Sequence, residues 1–261
     1  MAYGGQLIVA GGLQPGDVTT GRVWRIDPGT GKAHRLPDLA APVHDVAGGV
    51  VAGRPTLVGG GSATSLSVVQ RQAAAGTWKV AAHLPTARSD VSAVVVPGGL
   101  VAVGGYDGVH MPRAVLRTSD GRHFHAIARL PHGVRYAGVA LLDGQLWVLG
   151  GEASGQELRE VWRVDLSSGQ VAAVGRLPGP LGHEAVIPVD GRLLVLGGRT
   201  TGSTMTDRMW WFTPATRTWR KAGRLPYPLA DAPTAQLGGV TYLVGGETPH
   251  FTRRVLRVTV R

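Results

Sequence analysis

The sequence contains no cysteine among its 261 residues, so disulfide bonds and thiolate metal sites are excluded. No apolar run approaches the ~18 residues that a membrane-spanning helix requires, and we therefore expect no membrane insertion. Residues 1–9 do not have the form of a signal peptide. A chain without cysteine is compatible with export. The sequence does not determine the cellular compartment, and we favour an extracytoplasmic or secreted parent protein.

Lysine is also scarce, because only three of the 27 basic residues are lysine and the rest are arginine. The net charge is nevertheless +10. The arginines are dispersed along the chain, with no basic run longer than a pair such as Arg253-Arg254. Proteins that bind nucleic acids typically carry their basic residues in a patch or stripe on one face. The charge therefore does not predict a nucleic-acid ligand.

The motifs of common catalytic and metal sites are missing too. The sequence has no Gly-x-Ser-x-Gly nucleophile elbow, no phosphate-binding P-loop and no His-Glu-x-x-His. His110, His132 and His250 are isolated and lack the spacing of metal ligands. We therefore expect no metal and no cofactor.

Glycine, in contrast, is abundant, and its most regular use is a pair at the end of a short apolar strand. The pair occurs at Gly11-Gly12, Gly59-Gly60, Gly104-Gly105, Gly150-Gly151, Gly197-Gly198 and Gly245-Gly246. Successive first glycines lie 45 to 48 residues apart. A fixed period of this size, filled with strands, is typical of a propeller, in which each unit stacks on its neighbours. We therefore expect one domain over residues 1–261.

The unit at residues 135–178 shows how one repeat is built. Strands are expected over 136–142 and 145–149, separated by Asp143-Gly144, whose residues both tolerate the positive φ of a two-residue hairpin. A variable loop then leads to a third strand at 161–165 and a fourth at 170–176. The other units repeat these turn residues. The pattern predicts an all-β chain with four strands per unit and essentially no helix.

These features resemble the kelch repeat family over nearly the whole chain. Besides the glycine pairs, the resemblance rests on an aromatic residue later in the repeat and on Thr-Trp in the fourth strand. The residues that carry it are Trp24, Trp162, Trp211, Thr77-Trp78 and Thr218-Trp219. Other units depart from the pattern, with His34, Phe124 and Val171 near the fourth-strand tryptophan position. The resemblance implies a six-bladed kelch-type β-propeller of four-stranded antiparallel blades.

Both ends of the chain fall inside repeats. Residues 1–5 align with the end of a first strand and its hairpin turn, and residues 255–261 align with a third strand. We therefore expect the first and last blades to be incomplete, with three strands each and a thin seam between them, unless the chain is cut down from a longer one. We expect a monomer, although an unpaired edge strand would be able to recruit a neighbour.

The resemblance implies that first strands line a central channel and that one face of the propeller carries binding. Counting fourteen residues back from each first glycine gives one equivalent position per repeat, at the predicted mouth of the channel. These positions hold Asp45, Asp90, Tyr136, His183 and Asp231. This polar ring has two interpretations, and in one of them its side chains are candidates for binding a ligand. The alternative is structural, in that each polar residue hydrogen-bonds the backbone of the next blade.

Further ligand-binding candidates flank the ring. Arg88 and Arg135 lie near the predicted rim, where a guanidinium would clamp a carboxylate. Glu184 follows His183 in sequence, and the two side chains would serve as groups that give up and accept protons. The loops after the glycine pairs supply the remaining candidates, Tyr106, Glu152, Arg199 and Glu247. Mixed charge with one aromatic residue suits a peptide or glycan, and it equally suits ordinary solvated loops.

Three functions stay open at this point. The first is a non-enzymatic binding or interaction module that holds a protein, peptide or glycan on the face with the channel mouth. The second is a small-molecule enzyme, such as a sugar mutarotase or isomerase, with His183, Glu184, Asp90 and Arg135 as acid–base groups. The third is a bare scaffold or excised domain without retained activity. The first is favoured by analogy of fold, since no motif selects the second.

Overall fold

The computed structural model describes residues 1–260 and consists of small antiparallel sheets arranged as a six-bladed propeller, which confirms the predicted fold class. Blades 1 to 5 each have four strands and blade 6 has three, and within a blade these strands run in chain order from the channel to the rim. The first strands of neighbouring blades contact one another and line the channel. The one helical segment in the described residues is a 3-10 turn at Thr201–Ser203, so the expectation of essentially no helix is confirmed.

The strands of the six blades have the following bounds. Blade 1 contains Ala2–Tyr3, Gln6–Ala10, Val23–Ile26 and Ala33–Leu36. Blade 2 contains Ala47–Val51, Arg54–Val58, Val68–Gln72 and Trp78–His83. Blade 3 contains Ser92–Val96, Gly99–Val103, Ala114–Thr118 and His125–Arg129. Blade 4 contains Gly138–Leu142, Gln145–Leu149, Gln156–Asp165 and Val171–Leu181. Blade 5 contains Ala185–Val189, Arg192–Leu196, Arg208–Thr213 and Thr218–Arg224, and blade 6 contains Thr234–Leu237, Val240–Val244 and Val255–Val258.

Short hairpins extend the loop between the second and third strands in four blades. Their paired segments are Leu13–Gln14 with Val18–Thr19, Glu152–Ala153 with the start of Gln156–Asp165, Arg199–Thr200 with Thr204–Met205, and Glu247–Thr248 with His250–Phe251. In blade 4 the hairpin merges with the third strand, which is why that strand begins at Gln156 and not at 161 as predicted. The predicted turn at Asp143-Gly144 is confirmed, with φ of 52° and 73°.

The glycine pair is required because the chain passes very close to the next blade. At Gly104 and Gly105 the φ values are 66° and 101°, which favour glycine. A Cβ on Gly104 would lie 2.2 Å from the Val134 carbonyl oxygen. The amide of Gly105 donates a hydrogen bond to that same oxygen at 2.8 Å. Equivalent bonds join Gly12 to Val43, Gly60 to Arg88, Gly151 to Leu181 and Gly198 to Leu229.

Apolar side chains between neighbouring blades form the core. Between blades 3 and 4, for example, Val101, Val103, Leu146 and Val148 pack in one buried cluster. Each such side chain contributes roughly 1.5–3 kcal/mol of transfer free energy on burial. Five of the six blade interfaces have such a cluster, and the interface between blades 6 and 1 is the exception in the described residues. Packing across these five interfaces holds the blades, and the loops at their ends, in fixed positions.

The contact between blades 6 and 1 differs from the others. Blade 6 has three strands, as predicted, but blade 1 has four, so the expectation of three strands there is wrong. Its first strand is only Ala2–Tyr3, which lies against the first strands of blades 2 and 6. Within residues 1–260, no glycine-pair hydrogen bond joins blade 6 to blade 1. Blade 1 therefore has all four strands, but its first strand, which faces the channel, is only two residues long.

Candidate functional site

The five predicted mouth residues share a left-handed backbone conformation. Their φ values lie between 46° and 60°, and the residues are Asp45, Asp90, Tyr136, His183 and Asp231. Aspartate and histidine are enriched in this region among non-glycine residues, because a short polar side chain limits the steric cost. The backbone conformation therefore explains why four of the five positions are Asp or His.

A ladder of backbone hydrogen bonds connects these residues from blade to blade. The amide of Asp90 donates to the carbonyl of Asp45 at 3.1 Å, and that of Tyr136 donates to Asp90 at 3.1 Å. His183 then donates to Tyr136 at 2.9 Å, and Asp231 donates to His183 at 3.0 Å. The structural alternative considered for this ring therefore holds in a modified form, since the peptide groups, and not the side chains, make the bonds. The side chains are left free for other contacts.

The loops after the glycine pairs lie beside this ladder. The residue preceding each ladder position forms a β-bridge with the residue that follows the glycine pair of the same blade. These five bridges pair His44 with Gly61, Ser89 with Tyr106, Arg135 with Glu152, Gly182 with Arg199, and Ala230 with Glu247. The two sets of sequence candidates are therefore brought together at one end of the channel.

Arg135 is held by two carboxylates at the channel mouth. Its Nη1 lies 3.1 Å from Asp90 Oδ2, and its Nη2 lies 2.6 Å from Glu152 Oε1. The guanidinium carbon also lies 5.7 Å from the centre of the Tyr106 ring and 5.4 Å from that of Tyr136, within the range of cation–π contacts. Arg135 is therefore already occupied and is not an open clamp for a ligand carboxylate.

His183 is enclosed by acidic and aromatic neighbours. Its Nδ1 lies 2.6 Å from Asp231 Oδ1, and its Nε2 lies 3.7 Å from Glu152 Oε2. Its ring stacks on Tyr136 at 3.9 Å with an interplanar angle of 21°. Only 6% of the His183 side chain is exposed. The imidazole therefore acts as a bridge between two carboxylates from different blades.

Arg199 completes the network on the side of blade 6. Its Nη2 lies 3.2 Å from Asp231 Oδ2 and also forms an ion pair with Glu247 Oε2. Burial is the main cause of a raised pKa for Glu247, with Arg199 acting in the opposite direction. Arg135 and Arg199 thus each form ion pairs with two carboxylates.

Asp45 is the mouth carboxylate without an arginine partner in the described residues. Its Oδ2 accepts a hydrogen bond from the Tyr136 hydroxyl at 3.2 Å. Burial, followed by the charges of Asp90 and Asp231, raises the pKa of Asp45 to about 7. Burial also raises the pKa of Tyr136, so its phenol stays protonated and donates. Negative charge is therefore incompletely balanced at this point of the mouth.

We call the connected side chains the mouth network: Asp45, Asp90, Tyr106, Arg135, Tyr136, Glu152, His183, Arg199, Asp231 and Glu247. It contains five carboxyl groups and two guanidiniums, drawn from five blades. The mouth is therefore acidic, although the whole chain has a net charge of +10.

Arg88 does not lie at the rim, and the expectation that it would clamp a ligand carboxylate is wrong. The side chain is buried, with 2% of the residue exposed, and its Nη1 donates to the carbonyls of Gly104 and Ala114, both at 2.9 Å. Burial lowers the pKa of Arg88 to about 10. The other repeats have apolar residues at this position, namely Val43, Val134, Leu181 and Leu229. Arg88 is an internal group of the blade.

Glu184 is also internal, which corrects the expectation that it would face a ligand beside His183. It is 7% exposed, and its Cβ packs near Gly198. Its Oε1 accepts a hydrogen bond from the Gly138 amide at 3.2 Å, while Oε2 has no partner. Burial raises the pKa of Glu184 to about 8. The other repeats place Val46, Val91, Ala137 and Ala232 here.

His44 belongs to the same end of the channel, and the sequence reasoning missed it. Its Nδ1 lies 2.7 Å from Thr19 Oγ1, and its Nε2 lies 4.0 Å from Asp45 Oδ2. Burial lowers the pKa of His44. The position is equivalent to Arg135, one residue before the ladder, so counting fifteen residues back from each first glycine would have found it.

Two clefts lie away from the centre of the mouth. One, of about 490 Å³, lies between the hairpins of blades 1 and 6 and is lined by Asp17, Glu247 and Phe251 among others. The other, of about 530 Å³, lies at the opposite end between blades 1 and 2.

Within residues 1–260, no group of three acidic or histidine side chains is arranged to hold a metal ion. No helix in that range has the length and apolar character to cross a membrane.

Comparison with known proteins finds Kelch motifs over two stretches of the chain. The Kelch motif is matched at residues 134–177, and a second Kelch motif model matches residues 180–226. A similar curated protein is Kelch-like protein 35 of Mus musculus, which is 29% identical over 195 residues. The alignment covers 74% of this chain and 33% of that protein. The chain thus spans about a third of the length of this relative.

Proposed function

This chain is a six-bladed kelch-repeat β-propeller, and we propose that it acts as a non-enzymatic interaction module whose partner protein docks on the channel mouth. Kelch propellers typically bind proteins. The observation that carries the proposal is the mouth network, in which side chains from five blades form one connected polar surface. Loop residues held by a rigid scaffold are a common arrangement for binding.

The charge of the mouth network indicates the chemistry of the partner. Five carboxyl groups face two guanidiniums, so a partner that brings an arginine or lysine side chain would improve the charge balance. Asp45 is the natural contact because its carboxylate has no arginine partner in the described residues and is 31% exposed. A cation beside Asp45 would also offset the repulsion from Asp90 and Asp231 that contributes to its raised pKa.

An acidic ligand fits this surface less well. Arg135 and Arg199 each contact two carboxylates already, and Arg88 is buried. A ligand carboxylate would have to displace one of these internal partners and leave it unpaired. Leaving a partly buried carboxylate unpaired costs more free energy than the new ion pair with the ligand provides. The partner surface is therefore expected to be basic.

The enzyme alternative has one observation in its favour, the 2.6 Å contact between His183 Nδ1 and Asp231 Oδ1. Such a contact orients an imidazole for proton transfer. Against it, His183 is covered by Tyr136, and Glu184, its proposed partner in acid–base chemistry, is internal. A sugar mutarotase or isomerase is therefore the second candidate.

The test uses two probes, a short arginine-bearing glycine–serine peptide and its glutamate-bearing counterpart, titrated against the protein by fluorescence anisotropy. We expect the arginine peptide to bind more tightly at every pH between 5.5 and 8.5. Because cation binding favours the ionised form of Asp45, whose pKa is about 7, affinity should rise by up to about tenfold per pH unit below pH 7 and level off above it.

The matched variant is Asp45→Asn, which keeps the acceptor for Tyr136 and removes the charge. We expect it to weaken binding of the arginine peptide and to flatten the pH dependence. Equal or tighter binding of the glutamate peptide, or binding unaffected by Asp45→Asn and Asp231→Asn, would overturn the proposal. Stabilisation by monosaccharides that is lost in His183→Gln would favour the enzyme or a glycan ligand, and no response to any probe would favour the scaffold.

A further inference from the structure

The outer part of blade 5 concentrates positive charge, although the arginines of the chain are dispersed in sequence. We call residues 208–224, which form the third and fourth strands of blade 5 and the turn between them, the basic hairpin. None of its residues belongs to the mouth network. It has no acidic residue and five basic ones, which are Arg208, Arg217, Arg220, Lys221 and Arg224. The corresponding hairpins of blades 1 to 4 each carry two or three lysines and arginines.

Most of this charge is not balanced by carboxylates. Arg224 Nη1 forms an ion pair with Asp207, at 2.9 Å from Oδ1 and 3.1 Å from Oδ2. The basic residues of the hairpin that make no ion pair within residues 1–260 are Arg208, Arg217, Arg220 and Lys221, and all four are exposed. Arg208 lies directly opposite Arg224 in the strand pairing, where like charges are destabilising. An anion bound beside this pair would offset the repulsion.

Trp210, in the third strand of the hairpin, is less covered than the equivalent tryptophan of blade 4. Trp162 and Trp210 are equivalent because each pairs with the valine two residues before its glycine pair. Trp162 is 2% exposed, and the ring of His132 packs edge-on against it with a centroid distance of 4.7 Å. Trp210 is only partly buried.

The difference in covering has a cause in the sequence. His132 stands two residues after the leucine of the Leu-Pro pair that ends blade 3, and the same place at the end of blade 4 is occupied by Gly179. Glycine has no side chain to lie against Trp210. A Cβ at Gly179 would have no atom within 4 Å, so there is open space at this position.

Cations flank Trp210 on its own face of the hairpin. Lys221 lies directly opposite Trp210 in the strand pairing, and Arg208 lies two residues before it, so the three side chains project from the same face. This face is directed towards blade 4, since Trp210 and Trp219 pack against the core cluster between blades 4 and 5. Surfaces that combine an aromatic ring for stacking with cations for phosphate contact are typical of single-strand binding.

We propose that the basic hairpin binds a single-stranded nucleic acid at the boundary between the outer strands of blades 4 and 5. A base stacks on Trp210 in the space beside Gly179, and phosphates contact Lys221, Arg208 and the other exposed cations of the hairpin. An acidic protein segment would use the cations alone, and a duplex keeps its bases stacked inside. The uncovered tryptophan among the cations therefore favours the single strand.

The charge contacts are tested by fluorescence anisotropy with a labelled oligothymidine of about 12 nucleotides, within the range of single-strand site sizes. The logarithm of the affinity should fall linearly with the logarithm of the salt concentration. Lys221→Gln should weaken binding at low salt and reduce the slope by about 0.7, as expected for the loss of one phosphate contact. Lys79→Gln removes an exposed lysine from the fourth strand of blade 2 and is the matched control, which should change neither quantity.

Two further substitutions test the stacking. Trp210→Ala should weaken binding by about 5- to 150-fold, the range expected for the loss of one stacked base. Gly179→His keeps the indole and copies the covering that His132 provides for Trp162, so it should also weaken binding. Because it adds a side chain in open space and leaves Trp210 in place, Gly179→His remains informative should Trp210→Ala fail to fold.

The contrary outcomes are distinct. Tighter binding of a polyglutamate peptide or of a duplex of the same length, or no binding of oligothymidine at low salt, would overturn the proposal. Unchanged affinity in Gly179→His and Trp210→Ala would overturn it as well, even with weaker binding in Lys221→Gln, because the site would then recognise phosphate alone.

Discussion

Replacing Glu184 by glutamine should stabilise the propeller, and the gain should grow with pH. The carboxyl is buried between blades, and one oxygen has no hydrogen-bond partner. Four other repeats place valine or alanine at this position. Glu184→Gln keeps the oxygen that accepts from the Gly138 amide and can no longer ionise. The substitution therefore isolates the free-energy cost of the buried charge.

The sign and size follow from linkage. Burial raises the pKa of Glu184 from 4.5 to about 8 in the folded state. Between these values the folded protein holds a proton that the unfolded chain has released, so stability falls as pH rises, by at most about 1.4 kcal/mol per pH unit. The variant should therefore match the wild type near pH 4.5 and exceed it by roughly 3 kcal/mol at pH 7, with little further gain above pH 8.

Urea unfolding followed by tryptophan fluorescence at pH 5, 6, 7 and 8 measures this difference. Asp143→Asn, at an exposed hairpin turn, is the matched control and should leave the pH dependence unchanged. A difference between Glu184→Gln and wild type that stays constant from pH 5 to 8 would refute the reasoning. It would mean that Glu184 ionises in the folded state as it does in the unfolded chain.

Two more substitutions test the fold. Arg88→Leu should raise stability by about 1–3 kcal/mol, because a buried cation without a carboxylate partner is replaced by the residue type of the equivalent positions; a lower urea midpoint would contradict this. Gly104→Ala should be far more destabilising than Gly144→Ala, since a Cβ would meet a carbonyl oxygen at 2.2 Å in the first and nothing within 4 Å in the second. Gly144→Ala should lower the free energy of unfolding by about 1 kcal/mol, because alanine is unfavourable at positive φ. Equal melting temperatures of Gly104→Ala and Gly144→Ala would contradict this comparison.

The fold was predictable because its signal is repeated. All six glycine pairs have positive φ, and five of them also approach the next blade closely, so the spacing of the pairs reports the spacing of the blades. The same counting located the five ladder residues, because the chain enters every first strand in one conformation. Strand ends were less predictable, since the blade 4 hairpin extends a strand through contacts that the sequence pattern does not specify.

The arrangement of the site was only partly predictable. Position along the repeat placed Arg88 and Glu184 near the mouth, but whether a side chain faces solvent or the next blade depends on packing between blades. The apolar residues at their equivalent positions were a signal of that burial. The pairing of Arg135 with Asp90 and Glu152 joins three separate stretches of the chain. Such contacts depend on side-chain conformations that spacing alone does not give.

The ladder at the channel mouth separates architecture from recognition. Because peptide groups make the blade-to-blade bonds, exchanging the side chains at positions 45, 90, 136, 183 and 231 removes none of these bonds. The left-handed backbone restricts the choice mainly to glycine, asparagine, aspartate and histidine. A combinatorial library limited to these four residue types would vary the proposed binding surface while leaving the backbone bonds of the ladder intact. Repeated duplication of one blade followed by drift at these places would achieve the same in nature.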